Sequence, residues 1–388
     1  MRLAQVSDCY LPTVNGVCIS IQKLVRGLAA KGEEVALLTP SIAKNSDLLS
    51  SQFKDECAPN LEHWRFSSWV VPQMANNHFS WPWPLANWSR LKRFKPQVVH
   101  IHTPGNLGLY AYLWAKAQGL PYIFTHHTLF DEYLSYSPLP ESLSRGIILN
   151  WMRLFWNGAR LVLAPSPTVR ERLQKQGCRV PIEVWPTPIE DRQAEVTSST
   201  LLQEELSLER PPFLYVGRLA FEKSLDFILR ALARLKGEGL EAPWVLIGDG
   251  PARSSLEALA KELGLEKVYF LGWRAPQDLP NYYASALAFL FASQTETQGL
   301  VVAEAEMAGL PVVAIKASGV VEALPPMSPG LVNPGDLATF AAKMEELWGD
   351  PQWAQRLGAQ GRSFVQANLG LEPLLERYLQ IVRPLSSE

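Results

Sequence analysis

The chain has 388 residues, 47% of them hydrophobic and 19% charged, with a net charge of −2. That excludes a disordered chain and leaves room for two domains with full cores. It holds no run of 18 apolar residues, so no spanning helix is expected, and the opening MRLAQVSDCY turns polar too soon for a signal peptide.

Four scattered cysteines (Cys9, Cys18, Cys57, Cys178) form no C-x-x-C pattern. They point to a reducing cytosol and away from structural zinc. Charge is uneven along the chain. Residues 1–190 carry 19 Lys and Arg against 13 Asp and Glu, a net of +6, and the remainder has a net of −8. Only the first half is then expected to face something anionic. No nucleic-acid motif accompanies its basic residues, which are interleaved with tryptophan, so a membrane surface is the better match.

Residues 3–7 read as a short strand that turns polar at Asp8. A loop follows with Pro12, Asn15 and Gly16, then a helix over 17–30 closed by Lys31 and Gly32. Residues 34–39 are a second strand. This β-loop-α-β opening lacks G-x-G-x-x-G, which speaks against a dinucleotide. Gly16 is either a turn glycine or a place where backbone approaches a ligand at the helix start.

Residues 41–96 read as irregular, with Trp64, Trp69, Trp81, Trp83 and Trp88 among thirteen tryptophans in all. Pro82 and Pro84 exclude a long helix there. Arg90, Lys92, Arg93 and Lys95 follow at once. Indoles beside a basic cluster suit an interfacial anchor, and packing into the domain's own core is the alternative.

Strands are expected at 97–102 and 121–125, with a helix over 107–118 between them. The second strand ends in His126 and His127, at the edge where α/β sheets bind ligands. His100 and His126 are expected to be structural. The segment 143–156 is an amphipathic helix, either a core helix or a second membrane contact. A strand at 160–164 leads to a helix that Ser166 caps, and 182–185 ends this half. The proline-rich PTPIEDRQ then reads as a linker.

The α/β pattern restarts with a strand at 213–216. The loop after it, GRLAFEKS, holds Arg218 and Lys223 before a helix over 225–236. Two cations at a sheet's carboxyl edge suit an anionic leaving group. A strand at 244–247 leads into GDGP, where Asp249 is a ligand contact or a turn residue, and KVYFLGW follows. The run 286–291 reads as a buried strand, followed by SQTETQG and a helix that starts near Gly299 and closes at Gly309. The first amides of that helix, at Leu300 and Val301, make an anion site. Glu296 and Glu304 bracket it, about 12 Å apart at helical rise. Either one carboxylate reaches a sugar and the other a ribose, with a diphosphate on the amides between, or this is an ordinary strand-to-helix junction with a capping acid. A strand at 311–315 and a helical end complete the chain.

E-x7-E within TETQGLVVAEAEMAGLPVVA closely resembles the donor motif of family 4 of the retaining glycosyltransferases. GRL-x-x-EK resembles that family's diphosphate-binding Arg and Lys, YLPTVNGV its N-terminal glycine loop, and the HT at His127 its cleft histidine, which touches the donor sugar. DCYLPTVNGV, VVHIHTPGNLG and THHTLFDEYLSY look most like the branch that glycosylates diacylglycerol lipids. Relatives often read T-G-I-D where this chain has Pro188, which implies a stiffer hinge.

The resemblance implies the GT-B fold, an α/β architecture of two facing Rossmann-like domains with parallel sheets and a cleft between them. The expected division is an acceptor and membrane-facing domain over 1–188, a nucleotide-sugar domain over 189–365, and a C-terminal helix in 366–388 that crosses back. Implied roles are His127, Glu296, Arg218 and Lys223 in catalysis. Gly16, Asp249, Gly299, Leu300, Val301 and Glu304 would bind the donor. Trp81, Trp83, Arg90, Lys92, Arg93 and Lys95 would meet membrane or acceptor.

The expected reaction moves a sugar, with retention, from a UDP-sugar to diacylglycerol or a glycosyl-diacylglycerol. It uses no metal and no cofactor, at the inner face of the cell membrane, with an anionic membrane surface and no nucleic acid as partner. The rival readings are a family 4 transferase acting on a soluble sugar or sugar phosphate, a nucleotide-sugar 2-epimerase on the same fold, and a non-enzymatic sensor or scaffold. Intact Glu296, Arg218 and Lys223 speak against the last.

Overall fold

A computed structural model describes residues 1–11, 16–41, 58–70, 78–80, 85–127, 140–296, 298–317 and 319–387. The chain divides into two compact units: Met1–Pro188 with Leu371–Glu388, and Ile189–Gly370.

The first unit is built on strands β1 (Arg2–Val6), β2 (Glu34–Pro40), β3 (Leu61–Phe66), β6 (Val98–Ile101), β7 (Tyr122–Thr125), β8 (Leu161–Ala164) and β9 (Ile182–Val184), with a short antiparallel pair, β4 (Ser68–Val70) and β5 (His78–Ser80), apart from them. The seven lie in the order β3-β2-β1-β6-β7-β8-β9, and every pairing is parallel. Continuous apolar runs such as Leu161–Ala164 suit strands covered on both faces.

Helices α1 (Gly16–Ala30), α2 (Leu85–Phe94), α3 (Asn106–Ala117), α4 (Glu141–Gly158) and α5 (Pro167–Lys175) connect them. The Ser166 hydroxyl caps α5 by accepting from the Val169 amide at 3.3 Å. Among its described residues, the stretch 41–96 holds more regular structure than its tryptophans and prolines suggest. Leu61–Phe66 extends the sheet as an edge strand, where its polar residues are tolerated. Helix α2 starts at Leu85, after both Pro82 and Pro84 in sequence.

The second unit has strands β10 (Phe213–Val216), β11 (Trp244–Ile247), β12 (Val268–Gly272), β13 (Ala288–Phe291), β14 (Val312–Ile315) and β15 (Leu331–Val332), in the order β12-β11-β10-β13-β14-β15. Helices α6 (Leu201–Leu206), α7 (Leu225–Gly237), α8 (Arg253–Glu262), α9 (Leu279–Ala284), α10 (Leu300–Met307), α11 (Leu337–Gly349) and α12 (Pro351–Asn368) complete it. The expected break at 365/366 falls inside α12, because that helix runs on with Val365 buried in the second unit's core; the observed break follows Gly370.

The last helix, α13 (Leu371–Val382), packs into the first unit. Leu374, Leu375, Tyr378, Leu379 and Val382 fall on one helical face and are buried. Leu375 fills the space above Gly27, where a Cβ would sit 2.3 Å from its methyl. The Trp185 indole donates to the Leu374 carbonyl at 3.0 Å.

Each sheet reverses its strand order once, between β1 and β6 in the first and between β10 and β13 in the second. Loops at the carboxyl ends of such neighbours diverge and leave a crevice, where α/β folds bind ligands.

Candidate active site

In the second unit the reversal brings the loop after β10 beside the loop after β13. Arg218 and Lys223 lie in the first, Glu296 in the second. The Lys223 Nζ donates to Glu296 Oε1 at 2.5 Å, with side chains 21% and 17% exposed. The Ser293 hydroxyl stitches the same loops by donating to the Glu222 carbonyl at 3.4 Å. Arg218 points outward and pairs with Glu222. Burial, then the carboxylates of Glu296 and Glu222, hold the Tyr215 phenol far above its ordinary range, and its hydroxyl donates to the Arg218 carbonyl at 3.1 Å.

Gly299 is the N-cap of α10 at φ 63°, and a Cβ there would lie 2.8 Å from the Gly319 carbonyl oxygen. Behind it the amides of Leu300 and Val301 open the helix, where no intrahelical carbonyl can reach them. Only the part from Leu300 onward is helical, so helical rise applies to half of the Glu296–Glu304 spacing. Glu304, one turn into α10, has Tyr283 and Arg192 as electrostatic neighbours. Both went unread in the sequence, Arg192 because it sits in the linker and Tyr283 because it is one aromatic in a short helix.

Asp249 serves its own turn. Its carboxylate accepts from the Gly250 amide at 2.8 Å and pairs with Arg253 at 3.2 Å. The GDGP loop supports the cationic loop through backbone alone. The Leu219 amide donates to the Asp249 carbonyl at 3.0 Å, and a Cβ on Gly248 would lie 2.0 Å from the Gly217 carbonyl oxygen.

In the first unit, Asp8 follows β1. Its carboxylate accepts from the amides of Leu107 at 2.7 Å and Gly108 at 3.1 Å and from the Thr103 hydroxyl at 2.8 Å, fixing the start of α3. Gly16 is the exposed first residue of α1, and residues 12–15 of its loop lie outside the described residues. His127 follows β7, partly exposed. Its Nε2 lies 3.1 Å from Nδ1 of His102.

Burial and the neighbouring His126 pull His127 down to about 3. Burial and neighbouring rings hold His100 and His102 well below the ordinary imidazole range. All three rings are therefore neutral near pH 7. His126 packs edge-on against Trp156. His102 was legible in principle, since QVVHIH places both its histidines on one strand face.

Of the expected membrane residues, Trp81 and Trp83 lie outside the described residues. Lys92, Arg93 and Lys95 are exposed. Arg90 is exposed as well and has partners of its own. Its guanidinium stacks 4.7 Å over the Trp64 ring and pairs with Glu62 at 2.9 Å. Trp64 itself is in the core, 2% exposed. On α4, Trp156 is buried, whereas Leu143, Ile147, Trp151 and Leu154 are 38–54% exposed. Their spacing puts these four on one face. No helix of the described residues is long and apolar enough to cross a membrane.

A family model described as Glycosyltransferase Family 4 matches residues 14–193, and one described as Glycosyl transferases group 1 matches 200–364. An alpha-monoglucosyldiacylglycerol synthase from Streptococcus pneumoniae is 28% identical, covering 81% of this chain and 71% of its own length. The protein of the same name from Acholeplasma laidlawii is also 28% identical, over 89% and 86%. A GDP-mannose-dependent alpha-mannosyltransferase from Mycobacterium tuberculosis is 28% identical over 86% and 84%. Among solved structures, a sucrose-phosphate synthase from Thermosynechococcus elongatus superposes with a TM-score of 0.77 at 22% identity, over 100% of this chain and 99% of that one. Anabaena HepE, solved with UDP-glucose, gives 0.72 at 20% identity over the full length of both.

Proposed function

The chain belongs to glycosyltransferase family 4, and from that membership we propose that it moves a sugar from a UDP-linked donor, with retention of configuration, to a membrane lipid, either diacylglycerol or a glycosyl-diacylglycerol. The observation that carries this reading is the pairing of Lys223 with Glu296 at the switch point of the second sheet, beside the open amides of α10. A cation, a carboxylate and a helix N-terminus there suit the diphosphate, a sugar hydroxyl and the charge that grows on departure.

In this reading the donor's diphosphate takes Lys223, Arg218 and the amides of Leu300 and Val301. Glu296, released from Lys223, accepts from ring hydroxyls, and Glu304 accepts from the ribose. The sugar passes through an oxocarbenium-like state. A diphosphate oxygen takes the acceptor's proton as the acceptor oxygen bonds to the same face that the diphosphate leaves. His127 meets the sugar. The positive charge comes from side chains and amides, so turnover is expected to be unchanged by EDTA. Loss on chelation that Mg²⁺ or Mn²⁺ restores would contradict that.

Two relatives named as alpha-monoglucosyldiacylglycerol synthases favour the lipid acceptor. HepE's complex with UDP-glucose favours a UDP-linked donor. The mannosyltransferase among the relatives supplies the rival, a GDP-linked donor.

For the membrane, the basic half of the chain and the apolar face of α4 support peripheral binding at the cytoplasmic leaflet. Each Lys or Arg near an anionic leaflet contributes about 1 kcal/mol. Because Arg90 is already engaged, the expected anchor is Lys92, Arg93 and Lys95. Changing these three to serine should weaken co-sedimentation with anionic liposomes and leave UDP binding alone. Arg90→Ser should instead lower the melting temperature. Pelleting of the triple variant equal to wild type would remove these residues from the anchor. UDP-glucose titration in the same samples tests the donor, and no saturable binding of any UDP-sugar would overturn the reading.

A further inference from the structure

The strongest unexplained feature is a buried hydrogen-bonded chain in the first unit, and the function proposed above uses only its last member. It joins the ends of three strands, β1, β6 and β7, to the C-terminal helix. Thr125 Oγ1 lies 2.6 Å from His100 Nε2, and His100 Nδ1 lies 2.9 Å from the Tyr378 hydroxyl. Gln5 Nε2 donates to that hydroxyl at 3.2 Å. Gln5 Oε1 lies 2.8 Å from His102 Nε2, and His102 Nδ1 lies 3.1 Å from His127 Nε2.

Gln5 sets the direction. Its amide nitrogen has hydrogens only to give, so the Tyr378 oxygen accepts from it and holds the amide in this orientation. On the other side, Gln5 Oε1 can only accept, so His102 carries its proton on Nε2. A neutral imidazole holds one proton, so His102 Nδ1 is an acceptor. The proton between the two rings therefore belongs to His127 Nε2. Burial keeps all three rings neutral, which is the condition that this counting needs. Serial bonds of this kind polarise one another in a low-dielectric interior.

We infer that Gln5, His102 and Tyr378 are positioning residues that lock His127 as the Nε2-protonated tautomer, leaving Nδ1 as a hydrogen-bond acceptor for a hydroxyl of the substrate. His127 then serves as an acceptor rather than as an acid. The returning helix acquires a second task besides packing, because α13 carries Tyr378. This inference rests on His127 meeting substrate, as proposed above. The tautomer itself is independent of that reading.

The test is ¹⁵N NMR of the full-length protein labelled at its histidines, at pH 7, together with kinetics of Gln5→Met and Tyr378→Phe. Wild type should show His127 protonated on Nε2 alone. Gln5→Met removes both amide bonds at similar volume; it should mix the two tautomers of His127 and lower kcat roughly 10- to 100-fold, with little change in KM for the donor. Tyr378→Phe should act in the same direction.

A wild-type His127 protonated on Nδ1, which is the relay run in reverse, or a doubly protonated ring, overturns the inference. So does an unchanged kcat in a Gln5→Met protein whose tautomers have mixed. The spectrum of wild type stands even where a variant fails to fold. It is read without substrate, so a failure to find glycosyl transfer would sink the proposed function without touching the tautomer.

Discussion

Lys223→Ala is expected to lower turnover roughly 100-fold or more, the scale set by removing one group that stabilises developing charge. Lys223 is the better placed of the two cations. Its ammonium is largely shielded and faces Glu296, whereas Arg218 is well exposed and holds Glu222. Shielding raises the value of a charge at the moment the diphosphate leaves. It also means that the substitution strands the Glu296 carboxylate without its partner, which costs stability by itself. The double variant Lys223→Ala with Glu296→Gln separates the two effects, because it restores neutrality without restoring the cation. It should recover melting temperature and not turnover. The check is kcat beside thermal unfolding for the single and double variants. Near-normal turnover in a folded Lys223→Ala protein would contradict the assignment.

Glu306→Met is expected to stabilise the protein by about 1–3 kcal/mol at pH 7 to 8. Glu306 lies two residues beyond Glu304 on α10 and points away from the site, into α12. Its side chain is buried, its Oε2 has no hydrogen-bond partner among the described residues, and it occupies the space above Gly361. Burial alone raises its pKa well above the ordinary 4.5.

The sign follows from linkage. A carboxyl whose folded value is raised contributes its stability below the unfolded value and loses it as pH rises toward the folded one. Wild type should therefore lose stability from about pH 4.5 upward, at up to about 1.4 kcal/mol per pH unit. The methionine variant should lack that slope, and the two should converge near pH 4. Urea denaturation of both between pH 4 and 8 measures this. Parallel curves, or a variant less stable at pH 8, would show that Glu306 is satisfied in the folded protein.

The sequence reads most clearly where local pattern and tertiary burial agree. The strands at 213–216 and 244–247 are continuous apolar runs, and both fall where the pattern puts them. Gly299 was legible because a polar loop followed by an apolar helical period leaves few residues able to take a positive φ. The β3 strand was not legible. LEHWRF buries Leu61, Trp64 and Phe66, a spacing that keeps no strict period of two. Arg90 reads in sequence as one of four basic neighbours. Its stacking on Trp64 depends on a partner 26 positions away.

The relay beneath His127 is the clearest case of the same limit. Its members at 5, 100, 102, 127 and 378 come together only because β1 pairs with β6, β6 with β7, and α13 returns to the first unit. No local window contains that information.

The central claim is tested most directly by incubating the purified protein with a panel of UDP- and GDP-sugars and liposomes containing diacylglycerol and glycosyl-diacylglycerol, and reading the lipids by mass spectrometry with the anomeric configuration assigned by NMR. The expected result is a lipid heavier by one sugar, α-linked from an α-linked UDP-sugar and absent with Lys223→Ala. Transfer from a GDP-sugar alone, an inverted product, or no glycosylated lipid from any donor while a soluble sugar is glycosylated would contradict it.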